Sequence, residues 1–239
     1  MRKMLLFVLP ILLLGLGACQ GIVAGSSNLA TQARIVSGIN AVRLMTSGDL
    51  TITQGTQESL SITADLGIIS LLTSTVTDGT LELSVQSLSG ISTTLPITYN
   101  LVVKDLKSIT LMGSGDINAA QLTGDKVSVT SMGSGDTKIG QLTSGILSVT
   151  IEGSGDVNVT SGTADDAAIR VAGSGNFNAG NLKLGKATLD ILGSGDSEVW
   201  ATNTLNVNIL GSGSVRYYGN PSLQQSTLGS GDVISLGNK

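Results

Sequence analysis

Apolar side chains recur at every second position in short runs through the second half of the chain. One series reads Val127-x-Val129, Leu147-x-Val149-x-Ile151, Ile169-x-Val171, Leu189-x-Ile191 and Val207-x-Ile209. Another starts at Ile117, Val157, Phe177, Val215 and Val233, and continues two residues on at Ala119, Ile139, Val159, Ala179 and Val199. A period of two, β-branched enrichment and glycine at the run boundaries predict β-strands. The intervening positions are polar. Ser128, Ser148, Thr188 and Asn206 fall in one column and Thr130, Thr150, Arg170, Asp190 and Asn208 in the next, so each strand is expected to have one buried and one solvated face.

Between the strands Gly-Ser-Gly recurs at Gly113, Gly133, Gly153, Gly173, Gly193, Gly211 and Gly229, in steps of 20, 20, 20, 20, 18 and 18 residues. Self-similarity at such a period predicts a solenoid, because one short unit cannot bury its apolar face alone. The first unit reads Gly113-Ser114-Gly115-Asp116, and the later residues in the place of Asp116 are Asp136, Asp156, Asn176, Asp196, Ser214 and Asp232. Asp, Asn and Ser share a short polar side chain that bonds backbone in turns, so these units read as corners. Glycine on both flanks permits positive φ or close approach of stacked backbones. Each unit reads as corner, strand, turn, strand. The tight Asn-Gly and Asp-Gly turns of hairpin meanders are absent from the repeats, and no six-residue period marks a left-handed hexapeptide helix. The fold predicted is all-β: a right-handed parallel β-helix of 18–20-residue rungs with two or three faces. Spacing over 36–112 is irregular, as expected of first coils and a cap, and 113–239 holds the regular rungs.

The N-terminus is of another kind. Arg2 and Lys3 precede the apolar stretch Met4 to Leu14, and Leu16-Gly17-Ala18 leads into Cys19, the only cysteine. This reads as an export signal over 1–18, too short and too strongly bounded to be a permanent span. Leu-Gly-Ala-Cys resembles the lipobox of bacterial lipoproteins, which implies cleavage before Cys19 and its lipidation; an ordinary secretory signal is the alternative. Acyl chains bury methylenes at about 0.8 kcal/mol each, enough for a multiply acylated cysteine to anchor a protein. Gln20 after the cysteine, by resemblance to enterobacterial sorting, favours the outer membrane. Residues 19–35 then read as a flexible tether, and 36–239 as one domain.

Composition removes several activities. There is no histidine, hence no Ser-His-Asp triad and no imidazole metal site. The formal charge is −4, or −6 without the leader, so no basic surface is offered to nucleic acid.

An ordered series of segments is similar to the head GIN domain family, often labelled auto-transporter adhesins. It runs through Val36-Ser37-Gly38-Ile39-Asn40-Ala41-Val42 and Ser47-Gly48-Asp49-Leu50-Thr51-Ile52-Thr53-Gln54-Gly55. It continues through Thr77-Asp78-Gly79-Thr80-Leu81 and Asp105-Leu106-Lys107-Ser108-Ile109 into the Gly-Ser-Gly-Asp units. The resemblance covers residues 36–239. It implies a right-handed β-helix on an exported bacterial protein, and brings no catalytic residues and no cofactor.

Three features could carry chemistry. Stacked Asp116, Asp136 and Asp156 would lie about 4.8 Å apart, either bridged by Ca²⁺ or bonded to turn N–H groups; Asn176 and Ser214 keep the turn chemistry without the charge, so no metal is assigned. The polar columns could bind glycans or a surface protein, or simply solvate the coil, with Arg170 and Asp190 expected to pair across rungs. Trp200, Tyr217 and Tyr218 could stack on sugars or cover the last coil. A β-helix polysaccharide lyase or hydrolase would need a clustered acid pair, and Glu152, Asp165, Asp166 and Asp190 form none in sequence. The leading function is a non-catalytic, lipid-anchored envelope module with an adhesin-like or structural role. The alternatives are a polysaccharide-binding or polysaccharide-active protein, and a passive scaffold or sensor partner.

Overall fold

The computed structural model describes residues 23–86 and 91–239; the leader and Cys19 lie outside the described residues. The chain forms a parallel β-solenoid of about six turns. Strands Ile117–Ser131, Thr137–Ile151, Val157–Val171, Phe177–Ile191 and Ser197–Ile209 are each one rung, and each pairs in parallel with its successor. The register is that of the repeat: Val127 lies beside Leu147, Leu147 beside Ala167, and Ala167 beside Ala187.

The turn expected inside each rung does not interrupt the ladder; the chain bends there and stays paired. In Ile117–Ser131 the buried positions are Ile117 and Ala119, then Leu122, then Val127, Val129 and Ser131. Two exposed residues in succession, Ala120-Gln121 and Asp125-Lys126, reset the alternation at two bends. With the Gly-Ser-Gly corner these bends make three faces around one apolar core. Leu122, Leu142 and Leu182 supply the middle face and are fully buried, although no alternating pattern recurs there from rung to rung.

The corner glycines are imposed by the rung beneath. An added Cβ would lie 1.9 Å from the Gly113 carbonyl oxygen at Gly133, and 2.0 Å from that of Gly133 at Gly153. Neither residue has a positive φ, so close approach, not left-handed backbone, is what excludes a side chain. A few inward positions are polar: the Thr137 and Ser197 hydroxyls are buried without a partner, in a column otherwise filled by Ile117, Val157, Phe177 and Val215.

The chain enters the stack out of order. Ala41–Leu44 and Asp49–Gln54 form the coil directly beneath the regular rungs, pairing in parallel with Ser108–Leu111 and with Ile117–Ala119. The intervening segment folds back as a cap: Ser59–Asp65 runs antiparallel to Leu29–Arg34 and to Thr98–Val103, and Leu72–Thr77 runs antiparallel to Thr80–Val85. The last pair turns on Asp78-Gly79, both at positive φ (49° and 77°), as a two-residue hairpin requires. The folded body therefore begins before residue 36. Leu29–Arg34 is a paired strand rather than part of a flexible tether.

Asp65 closes the cap. It is buried; its Oδ1 accepts from the Ser26 N–H (2.6 Å), the Ser26 hydroxyl (2.9 Å) and the Gly67 N–H (2.7 Å), and its Oδ2 from the Ser27 N–H (2.7 Å). The Ser26 N–H above all holds this carboxyl below its ordinary value, against the opposing effect of burial. On the middle face, where the cap lacks a strand, the Gln54 amide takes the place of one: it accepts from the Thr123 N–H (2.7 Å) and donates to the Thr123 carbonyl (2.9 Å).

Candidate functional site

The corner column is a continuous hydrogen-bond ladder. The N–H of Asp116 donates to Asp49 Oδ1 (3.0 Å), that of Asp136 to Asp116 Oδ1 (2.8 Å), and that of Asp156 to Asp136 Oδ1 (2.9 Å). Asn176, Asp196 and Ser214 continue it, each N–H donating to the side chain one rung back at 2.8 Å, and the Asp232 N–H ends on the Ser214 hydroxyl (3.1 Å). Each carboxylate from Asp49 to Asp196 thus satisfies an N–H on the next rung, and Asn176 and Ser214 do the same. Asp196 uses its second oxygen for Arg216 (3.0 Å), a half-exposed pair worth little. Among the described residues no group of three metal-ligating side chains converges.

The polar columns stand where alternation puts them, on the outside of the face carrying Val127 and Val129. Ser108, Ser128, Ser148, Ala168, Thr188, Asn206 and Gln224 align across successive rungs, and beside them Thr110, Thr130, Thr150, Arg170, Asp190, Asn208 and Ser226. Arg170 and Asp190 are adjacent in register, yet among the described residues no ion pair joins them; Asp190 Oδ1 accepts from the Asn208 amide instead (3.2 Å). Glu152, Asp165, Asp166 and Asp190 occupy four different columns, and Asp166 faces Lys186 at 3.8 Å.

The three C-terminal aromatics divide. Tyr217 follows Val199 in an inward column and packs against the core. Trp200 and Tyr218 are neighbours on the outside, where the rungs shorten from 20 to 18 residues. Register jumps there, Ala179 facing Val199 but Lys183 facing Trp200, so Gly180-Asn181-Leu182 has no counterpart on the next rung. The two rings fill the step. Lys239 lies 4.2 Å from the Tyr218 ring and 5.9 Å from that of Trp200, Lys183 is 6.0 Å from Trp200, and the Lys239 ammonium also bonds Gly180 and Asn181. Sequence spacing revealed the shortened rungs but not this clasp, which depends on contacts between residues some sixty positions apart.

A capped parallel solenoid with a flat polar face defines the class: a parallel β-solenoid. The family described as "Putative auto-transporter adhesin, head GIN domain" matches residues 39–221, and the chain belongs to that family. Its structure is similar to that of a putative adhesin from Bacteroides fragilis NCTC 9343, with 31% identity and a TM-score of 0.86 over 90% of this chain and 100% of that one. A putative lipid binding protein from Parabacteroides distasonis ATCC 8503 is 26% identical, with a TM-score of 0.74 over 90% and 100% of the two chains. A putative adhesin from Parabacteroides merdae ATCC 43184 shares the fold at 20% identity, with a TM-score of 0.72 over 90% and 98%. No curated protein matches the chain in sequence.

Proposed function

We propose that this protein is an exported, lipid-anchored and non-catalytic module of the bacterial envelope, standing cap-first on the membrane and using its polar wall for adhesin-like recognition of a surface polymer or protein. The observation that carries the reading is the wall itself: two columns of mainly uncharged hydroxyl and amide side chains, held at rung spacing by seven successive strands on one flat face. Such an array presents hydrogen-bonding groups at fixed intervals to an extended partner. Family membership and the adhesin named among its structural relatives support the same reading.

The Asp65 clasp supports the orientation. Ser26 is seven positions after Cys19, a reach of at most about 24 Å, so lipid on Cys19 would hold the capped end near the bilayer and direct the Trp200–Tyr218 step outward. That step is the second candidate contact for a sugar, its rings half-buried and flanked by Lys183 and Lys239. The test is protease shaving of intact cells together with labelled-palmitate incorporation. Label on the protein that Cys19→Ala removes, and cleavage of the protein on unbroken cells, are the expected results. A protein unlabelled, or protected from protease until cells are opened, contradicts the reading.

A further inference from the structure

One outward column breaks the polar rule. Immediately before a Gly-Ser-Gly corner, or before its degenerate counterpart Thr46-Ser47-Gly48, stand Met45, Met112 and Met132 at one end of the stack, and Leu192, Leu210 and Leu228 at the other. Successive backbone bonds put them on successive rungs, the N–H of Met112 donating to Leu44, that of Met132 to Leu111, that of Leu210 to Ile191 and that of Leu228 to Ile209. Five of the six are exposed: Met45, Met112 and Met132 by 42%, 41% and 46%, and Leu210 and Leu228 by 56% and 82%; Leu192 is half-buried. Seven rung steps make this strip about 34 Å long, and it borders the polar wall along its whole length. Exposed apolar side chains clustered at both ends of one column mark an interaction surface.

The two middle positions are Glu152 and Ala172, and they identify the occupant. Suppose two copies pair through this face with their stacks side by side in the same direction. Each rung then meets its own counterpart, and Glu152 meets Glu152 of the second copy in an otherwise apolar strip, a like-charge contact that costs more as water is excluded. With the stacks antiparallel, the two-fold axis passes between the Glu152 and Ala172 rungs. Methionines then meet leucines, Met45 against Leu228 and Met112 against Leu210. Glu152 lies opposite Ala172, at the height of Arg170 two residues away on the same rung. Arg170 has no ion-pair partner among the described residues, and neither has Glu152; antiparallel pairing gives each one a partner, twice over by symmetry. The flanking columns raise no conflict, with Thr150 facing Arg170, Thr130 facing Asp190 and Ser148 facing Ala168.

We propose that this face binds a second copy of the chain, antiparallel, with the Met–Leu column as the apolar seam and Glu152–Arg170 as the pair that sets direction. The inference deepens the reading of the wall as a recognition surface by naming its partner, and does not depend on the lipid anchor. The strip with the two polar columns beside it spans roughly 34 by 15–20 Å, or on the order of 500–700 Å² per copy. That is under the roughly 800 Å² per partner of stable complexes, so the dimer is weak. Two such chains standing on opposing envelopes would overlap in this antiparallel sense.

The test is sedimentation of the mature chain carrying Cys19→Ser, over a micromolar to millimolar range, with circular dichroism confirming that every variant is folded. The parent chain should show a monomer–dimer equilibrium. Met132→Lys combined with Leu210→Lys should abolish it. Glu152→Arg and Arg170→Glu should each weaken it about tenfold or more, and the two together should restore it to within about threefold of the parent. A parent monomeric throughout, or folded single variants with no recovery in the double, overturns the proposal. So does binding to phosphatidylethanolamine–phosphatidylglycerol vesicles through Met132 and Leu210 without dimerisation, which would make the strip a lipid contact. If dimerisation fails while cells carrying the double lysine variant still lose adhesion, the wall remains a recognition surface and only the partner named here is wrong.

Discussion

Gly153 has no space for a methyl group, because its Cα faces the Gly133 carbonyl at a separation that would leave an added Cβ 2.0 Å from the oxygen. The obstacle is backbone on a rung fixed from both sides, so it cannot move aside as a side-chain tip would. Gly153→Ala should therefore lower stability by about 1–3 kcal/mol, read as a shifted denaturant midpoint, whereas Ser154→Ala at the exposed middle of the same corner should leave it within about 0.5 kcal/mol. The repeat in the sequence located these glycines but left two reasons for them open. Only the stacked backbones decide between the two, since the distance that matters is to a residue 20 positions earlier. The aspartates are similar: their turn chemistry was legible, but the N–H they satisfy belongs to the next rung rather than to their own turn.

At the scale of elements, the regular rungs were written in the chain and the cap was not. Period-two runs between glycines specify a strand and its inward face, and their recurrence specifies register. The middle face was hidden because its inward positions are mixed from rung to rung: Leu122 stands alone, Leu142 is followed by Ser144, and only Leu182 and Leu184 form an apolar pair. The cap was hidden because antiparallel pairs such as Leu29–Arg34 with Ser59–Asp65 join segments of unrelated pattern. Asp65 sits at the end of an alternating strand, where an acid reads as a surface residue until Ser26 and Ser27 are seen folded onto it.

This clasp makes the cap acid-sensitive in a definite direction. The Asp65 carboxyl is held below its ordinary value of 3.8 in the folded chain, so its contribution is complete above that value and is lost as pH falls through the lower folded one. Amide exchange at Ser26, Ser27 and Gly67 should be slow at pH 5 relative to the intrinsic rate and approach it in strong acid, while Val129 and Val149 stay protected. Asp65→Asn should remove the acid transition and leave these amides less protected at pH 5. An unchanged pH profile in that variant would mean that another group closes the cap.

Across the whole molecule, one structural fact supports the wall, the apolar strip and the corner ladder alike: each rung lies directly over the one before, in the same direction. The wall is an array only because Thr110, Thr130 and Thr150 share a column, and the strip is continuous only because Met112 and Met132 do. The most direct measurement is electron–electron double resonance between spin labels on corner serines, which are exposed, in a chain carrying Cys19→Ser. Labels at Ser114 and Ser194 are four rungs apart and should give about 19 Å, and labels at Ser114 and Ser230, six rungs apart, about 29 Å. A separation that grows with rung number at about 4.8 Å per step is the predicted result; distances that fail to grow with the number of intervening rungs would contradict the stack.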